Sequence, residues 1–366
     1  MITHSKVVLD EEDLAGVTKV LRSGLLVQGR YVSSLEHNIA SFVGVNHAVA
    51  VSSGTAALHL SLLSLGIGDG SEVIIPSYVC TALLNAIHYV RATPVLVDID
   101  SGTYNIKVES IKRAINDRTR AIIVPHMFGL PEDIDSIVSL GIPVIEDCAH
   151  SVGAKLKGRY AGSFGILSVF SFYATKMLGA GEGGMVLSND TNLIATIRDL
   201  RDYDEKETFT VRYNYKMTDI QAALSESQLK KLPSFIEKRK QIARIYNNGL
   251  DGKGAGIPVV PEGREHIYYR YVILLESPVT FMEEMRRRGI ECRRPVFKPL
   301  HRYLQLSGYP MTDDVWEKAV SIPIYPSLRV EEAHLIVDAI KTILSESPRL
   351  QGGASQKISS PLMGED

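Results

Sequence analysis

Between residues 47 and 187 the chain alternates short apolar, β-branched runs with helical stretches, and nothing else in it constrains the fold as strongly. Residues 47–51, 72–75, 94–97, 121–124 and 143–145 read as strands, and residues 56–65, 81–88, 108–115 and 132–140 as the helices between them. That pattern predicts an α/β fold with a mostly parallel sheet flanked by helices. Residues 169–173 and 185–187 read as its closing strands. Two further helices, over residues 11–22 and 35–42, precede the first strand, with Gly24 breaking the earlier one.

Past residue 227 the character changes. Residues 228–246 form a long helical stretch rich in lysine and arginine, which suits a connector between domains. A strand over 268–275 and helices over 281–288 and 330–344 then suggest a modest α+β domain. The expected organisation is a large α/β domain over 1–227, a smaller C-terminal α+β domain over 228–346 that includes the connecting helix, and a disordered polar tail over 347–366.

Composition removes several classes of function. The formal charge of −2 is spread without a basic stripe, so nucleic acid is not an expected partner. No apolar run is long enough to cross a bilayer, and the first dozen residues lack a hydrophobic signal core. A membrane association is therefore not expected, and a cytoplasmic protein is. Cys80, Cys148 and Cys292 are odd in number and widely spaced, which speaks against a disulfide framework and against a Cys-x-x-Cys metal site.

Within the α/β region two residues stand out. Lys176 ends the aromatic run Ser171-Phe172-Tyr173-Ala174-Thr175-Lys176, just before a glycine-rich stretch, and Asp147 ends the apolar run Val144-Ile145-Glu146-Asp147. In open α/β sheets, ligands collect at the carboxyl ends of strands. An amine and a carboxylate delivered there are what pyridoxal 5′-phosphate needs, the first for a Schiff base and the second for the pyridinium proton. Glu146 points to the opposite face of the same strand and ranks below Asp147. Each residue also has an ordinary reading: a surface lysine, and a cap or salt bridge for the acid.

Ser52-Ser53-Gly54-Thr55 ends a strand and opens a helix. The positive end of the helix dipole, free N–H groups and a glycine make it a candidate phosphate cradle, with Ser171 able to contribute; a plain helix cap by Ser53 or Thr55 is the alternative. Asn214, in Tyr213-Asn214-Tyr215-Lys216-Met217, precedes a helix that Thr218 or Asp219 should cap, and its segment reads as an interface loop. The glycine-rich stretch from Gly179 to Gly184 reads equally well as a tight turn between two strands.

Taken in order, Ser52 to Leu58, Pro76-Ser77-Tyr78, His126-Met127-Phe128-Gly129, Ile145 to His150, Phe170 to Lys176 and Tyr213 to Met217 resemble the nucleotide-sugar aminotransferases of the DegT–StrS group, with the aspartate aminotransferase type of fold (fold type I). The resemblance runs from about residue 10 to 343. It implies that Lys176 holds the cofactor and shuttles the proton, and that Asp147 pairs with the pyridine nitrogen. It places His150 near the phenolic oxygen, and Gly54, Thr55 and Ser171 at the phosphate. Asn214 would reach that phosphate from a neighbouring subunit, making the active site a shared feature of a homodimer. The implied reaction moves an amino group from an amino acid, usually glutamate, to a keto sugar carried by a nucleoside diphosphate, as in amino-sugar and polysaccharide biosynthesis.

One position departs from the pattern. Many members cover the cofactor ring with an aromatic side chain where this chain has Cys80, so either the cofactor packs differently or Tyr78 or another group covers it. Two segments, residues 201–209 and 293–301 with its Arg293-Arg294 pair, are candidates for substrate specificity. A sugar dehydratase on the same framework is a rival reading, although relatives with that chemistry carry histidine in place of the lysine. A binding or regulatory protein that keeps the fold is another.

Overall fold

The structure, a computed structural model, describes residues 1–346; the expectation of a disordered tail falls on residues outside that range. Seven strands build one sheet: β1 (His47–Val51), β2 (Glu72–Pro76), β3 (Thr93–Val97), β4 (Thr119–Pro125), β5 (Val144–Asp147), β6 (Leu167–Ser171) and β7 (Gly184–Ser188). Their spatial order is β1-β7-β6-β5-β4-β2-β3. β7 runs antiparallel to both its neighbours, and the remaining pairs are parallel.

Every residue of β2, β5 and β7 is buried, which is why these strands read as continuous apolar runs rather than as alternation. Side-chain direction still alternates. Val51, Ile75, Ile123, Ile145 and Val169 enter the hydrophobic cluster on one face. Ile74, Ile122 and Val144 enter a cluster on the other face, and Ala50, Phe170 and Met185 enter a third.

Three helices lead up to the sheet or start on it: α1 (Glu11–Ser23), α2 (Arg30–Val43) and α3 (Gly54–Ser64). α3 is apolar all round and buried from Ala56 to Leu62, as a helix enclosed by the core must be. A 32-residue helix, α4 (Asp219–Leu250), runs longer than the 228–246 expected. Its N-terminus uses both predicted capping residues in different ways. Thr218 forms a capping box with Gln221. Asp219 turns away and caps α2, accepting the N–H groups of Gly29 (2.9 Å), Val32 (3.0 Å) and Tyr31 (3.3 Å).

A separate cluster includes Tyr246 on α4, Tyr271 and Ile273 on β8 (Tyr271–Leu274), Ile322 on β9 (Ala319–Ile322), and Ile336 and Ile340 on α5 (Val330–Glu346). β8 and β9 pair antiparallel. The first residues of the chain, expected with the large domain, pack here instead: Ile2 bridges to Ile290, and the His4 ring meets Ser321 at 2.8 Å. This second body also presses on the first, since Val272, Val296 and Leu300 share the cluster under the main sheet.

Candidate active site

A cavity of about 260 Å³ opens at the carboxyl ends of β1, β4, β5 and β6. Gly54, Thr55, Asp147, His150, Ser171 and Lys176, all singled out from sequence, line it together. β1 delivers its corner. Ser53 is extended (φ −163°, ψ 163°) and its hydroxyl accepts the Ala56 N–H at 3.1 Å, so Ser53 serves as the helix cap. Gly54 and Thr55, one step on, face the cavity with the positive end of the α3 dipole behind them. Glycine keeps this corner open: a Cβ added at 54 would lie 3.0 Å from the Ser171 Cβ, a contact that would push the Ser171 side chain aside.

β5 delivers the acid. Both of its terminal carboxylates are buried, on opposite faces. Glu146 Oε1 accepts the N–H groups of Phe164 and Gly165 (both 2.7 Å), and Oε2 accepts Gly162 N–H (2.8 Å) and meets His126 Nε2 at 3.0 Å. The other ring nitrogen of His126 accepts the Glu132 N–H at 3.0 Å, so Nε2 carries the proton. Burial pushes the Glu146 pKa up, but the hydrogen bonds from His126 and from these N–H groups outweigh it and the net shift is downward. Glu146 therefore organises the 162–165 loop. Asp147 accepts one backbone N–H, from Ala149 at 3.0 Å. Burial raises its pKa, with partial relief from that bond and from the Lys176 charge. A cation arriving beside Asp147 would be stabilised.

β6 leads into Lys176 through a looped segment. Phe172 N–H donates to Gly183 O, and Ala174 N–H to Gly181 O, so the glycine-rich stretch is a turn back into β7. The Lys176 amine lies 5.2 Å from the centre of the Tyr269 ring. Lys176 and Asp147 line the same cavity without forming an ion pair, and space separates them. His150 stacks on Tyr269 at 4.5 Å and lies 6.1 Å from Phe128. Burial first, then the charges of Lys176 and Arg270, hold its imidazole well below the usual value, so it is neutral at pH 7.

Tyr269 and Arg270 are residues that sequence reasoning missed. Both come from the segment leading into β8, more than ninety positions after Lys176. The signal lay in the His126–Gly129 motif. Phe128 adopts φ 56° and Gly129 φ 98°, and Gly129 O accepts Ile267 N–H while Phe128 O accepts Arg270 N–H. A Cβ at 129 would sit 2.8 Å from Ile267 Cγ1 and 3.0 Å from the Tyr269 nitrogen. Glycine is required there because the later segment crosses directly over it.

Other candidates lie elsewhere. Asn214 is exposed and outside the cavity, on a segment held by Tyr213 N–H to Leu200 O and Tyr215 N–H to Arg201 O. Arg201, at the head of a proposed specificity segment, is a buried strut bonded to Glu36 (2.9 Å) and to Ala50 O (2.8 Å). Arg293 pairs with Glu291, and Arg294 donates to the carbonyls of Trp316 and Glu317. Neither arginine lines the cavity. Tyr78 does not cover it either: its ring is fully buried and packs edge-on against Phe128. Cys80 does line it, beside Val79 and Ala82.

Residues 7–341 match the model of the DegT/DnrJ/EryC1/StrS aminotransferase family. The chain belongs to that family. Among DegT/DnrJ/EryC1/StrS relatives, it is 34% identical to the UDP-N-acetyl-3-dehydro-alpha-D-glucosamine 3-aminotransferase of Acidithiobacillus ferrooxidans, over 92% of this chain and 95% of that one. It is 36% identical to the GDP-perosamine synthase of Escherichia coli O157:H7, over 87% and 92%. A family structure from Streptococcus pneumoniae, assigned as a sugar aminotransferase and solved in its PLP form, superposes with a TM-score of 0.88 at 27% identity, covering 94% of this chain and 98% of the other. The fold is thus that of the DegT/StrS aminotransferases, and members of the family use pyridoxal phosphate.

Proposed function

We propose that this protein is a pyridoxal phosphate-dependent aminotransferase that moves an amino group from an amino acid, L-glutamate, to a keto sugar carried by a nucleoside diphosphate. The observation that carries the reading is one cavity lined at once by the amine of Lys176, the carboxylate of Asp147 and the glycine-opened start of α3. These residues fit the cofactor on physical grounds. Asp147 is a buried carboxylate that lacks a direct cationic partner, and a protonated pyridine nitrogen provides one. The absent side chain at Gly54 leaves the space a phosphate needs beside the α3 N-terminus, with Thr55 and Ser171 next to it.

When bound, pyridoxal phosphate supplies an aldehyde that condenses with amines and a ring that withdraws electrons from the adjacent carbon. The chain's own residues do the rest. Lys176 would hold the group through its amine and would take and return the proton at the substrate carbon. Asp147 holds the ring nitrogen's proton in place. Neutral His150, stacked on Tyr269, presents a hydrogen-bonding edge without adding positive charge. Asn214 is exposed, and we assign it to the phosphate of the neighbouring subunit in a homodimer. Residues 1–227 would carry the cofactor, and residues 228–346 would form the smaller domain.

The nucleotide-sugar acceptor rests on relatives named for such substrates. Incubating the holoenzyme with L-glutamate and a panel of UDP- and GDP-linked keto sugars should yield 2-oxoglutarate and an aminated sugar in equal amounts. Sugar turnover without 2-oxoglutarate would instead favour a dehydratase.

A further inference from the structure

Arg270 is a partly buried cation that forms no ion pair among the described residues. One Nη lies 3.2 Å from Nε2 of His4, and its Nε is buried without a hydrogen-bond partner. Its guanidinium carbon is 5.4 Å from the centre of the Tyr269 ring, the same ring that Lys176 approaches to 5.2 Å. Among the described residues no carboxylate forms an ion pair with it. Behind it stands Arg239, only 6% exposed, whose contacts are the carbonyls of Tyr268, Tyr269 and Ile324 and whose Nε is also unpartnered. The hydroxyl of Tyr78 is a further buried polar atom without a partner, and Arg294 and Arg270 are the cations whose charge bears on it.

Buried cations without counter-ions are costly, and removing a partner from a buried pair usually destabilises strongly. Among the described residues, the side-chain hydrogen-bonding partner of Arg270 is a histidine. His4 is neutral, since burial and then the Arg270 charge hold its pKa at about 3. Arginine only donates, so Nε2 of His4 must accept. His4 thus occupies the place of an anion without supplying its charge.

We propose that Arg270 is the binding residue for a carboxylate of the amino-acid donor, leaving His4 to engage it and returning to His4 when the sugar takes the site. The inference rests on the transaminase reading and names a subsite within it. The guanidinium fork matches a carboxylate in two parallel hydrogen bonds. Size selects among the anions of the reaction: the hollow between His4, Thr175, Tyr269 and Arg270, reached past the Tyr269 ring that Lys176 approaches, has only about 20 Å³, far too little for a diphosphate. The cofactor's phosphate is provided for at Gly54 and Ser171. One site must bind an anionic amino-acid donor and then a keto sugar in its place, and an arginine with a neutral resting partner serves both.

The test uses holoenzyme and glutarate, a dicarboxylate with no amine to react. Arg270→Gln should weaken glutarate binding by calorimetry, and raise the glutamate KM of the donor half-reaction, by roughly tenfold or more. Arg270→Lys, which keeps the charge and loses the fork, should fall between it and the wild type. Cofactor retention, read from the visible absorbance, should be the same in all three. Unchanged glutarate affinity in both variants would overturn the assignment, as would cofactor loss parallel to glutarate loss, the mark of a structural role. If Arg270→Gln does not fold, Arg270→Lys carries the test alone. A wild-type protein that binds glutarate through Arg270 yet transaminates no amino acid would instead sink the transaminase reading.

Discussion

On the loop face of β5, Glu146 is met by three backbone N–H groups and by His126 Nε2; on the cavity face, Asp147 has the Ala149 N–H. The two acids are adjacent and both buried, yet their pKa values move in opposite directions. The cations repeat the contrast. Arg201 is bonded to Glu36 and Ala50 O at the far side of the sheet, whereas Lys176 and Arg270 carry no carboxylate partner among the described residues. The Glu146 carboxylate, which holds a loop, is met on both oxygens, whereas Asp147 and Lys176 at the cavity have no ion-pair partner among the described residues. The cavity is therefore poised to be completed by a ligand, because each unmet group gains when one arrives.

Three substitutions sharpen or break that comparison. Lys176→Ala should have the largest effect, cutting turnover by roughly 10³-fold or more in a coupled 2-oxoglutarate assay while leaving the protein folded. Near-normal turnover would show that the amine is not part of the chemistry. Glu146→Gln should act on the other side of the contrast. Its amide NH₂ would face donors, Gly162 N–H and His126 Nε2–H, and the loss of about 2 kcal/mol should appear as a lower thermal midpoint. A variant as stable as the wild type would mean that the loop does not depend on this acid.

Asp147→Asn should have the smallest effect on the apo protein, and of opposite sign. The folded-state pKa of Asp147 is raised, so on increasing pH the unfolded chain loses its proton first and stability falls across the window from the ordinary carboxylate value up to the raised one. Removing the charge removes that penalty. The cofactor-free variant should melt slightly above the cofactor-free wild type at neutral pH, and the difference should vanish below the ordinary carboxylate pKa. Equal pH profiles for the two apo proteins would contradict the claim that Asp147 lacks a partner. Activity should nevertheless be lost, since asparagine cannot hold the ring nitrogen's proton as an anion does.

Much of this was legible in the residues. Strand–helix alternation located the sheet, and placement at strand ends put Asp147, Ser171 and Lys176 at one edge, because parallel strands bring their carboxyl ends together. Period-two reasoning separated Glu146 from Asp147. The cap signals at Thr218 and Asp219 were real, although no local rule says that Asp219 caps α2 rather than its own helix. The double arginine stayed open between a ligand grip and a solvated surface pair, and residue 201 gave no sign of its buried bond to Glu36, since an arginine reads the same whether it faces a ligand or the protein's own groups.

The amino-acid order alone determined the layered sheet, the strand that bears the acid and the loop that bears the amine, because these follow from hydrophobic periodicity and chain direction, both local properties. Tertiary structure alone decided that the Tyr269–Arg270 segment crosses over Gly129 and sets the Tyr269 ring beside Lys176 and His150, that His4 returns from the N-terminus to meet Arg270, and that Asn214 stays outside the cavity. Those outcomes depend on which distant segments share space, and on which buried charges find partners there; no window of neighbouring residues contains that information.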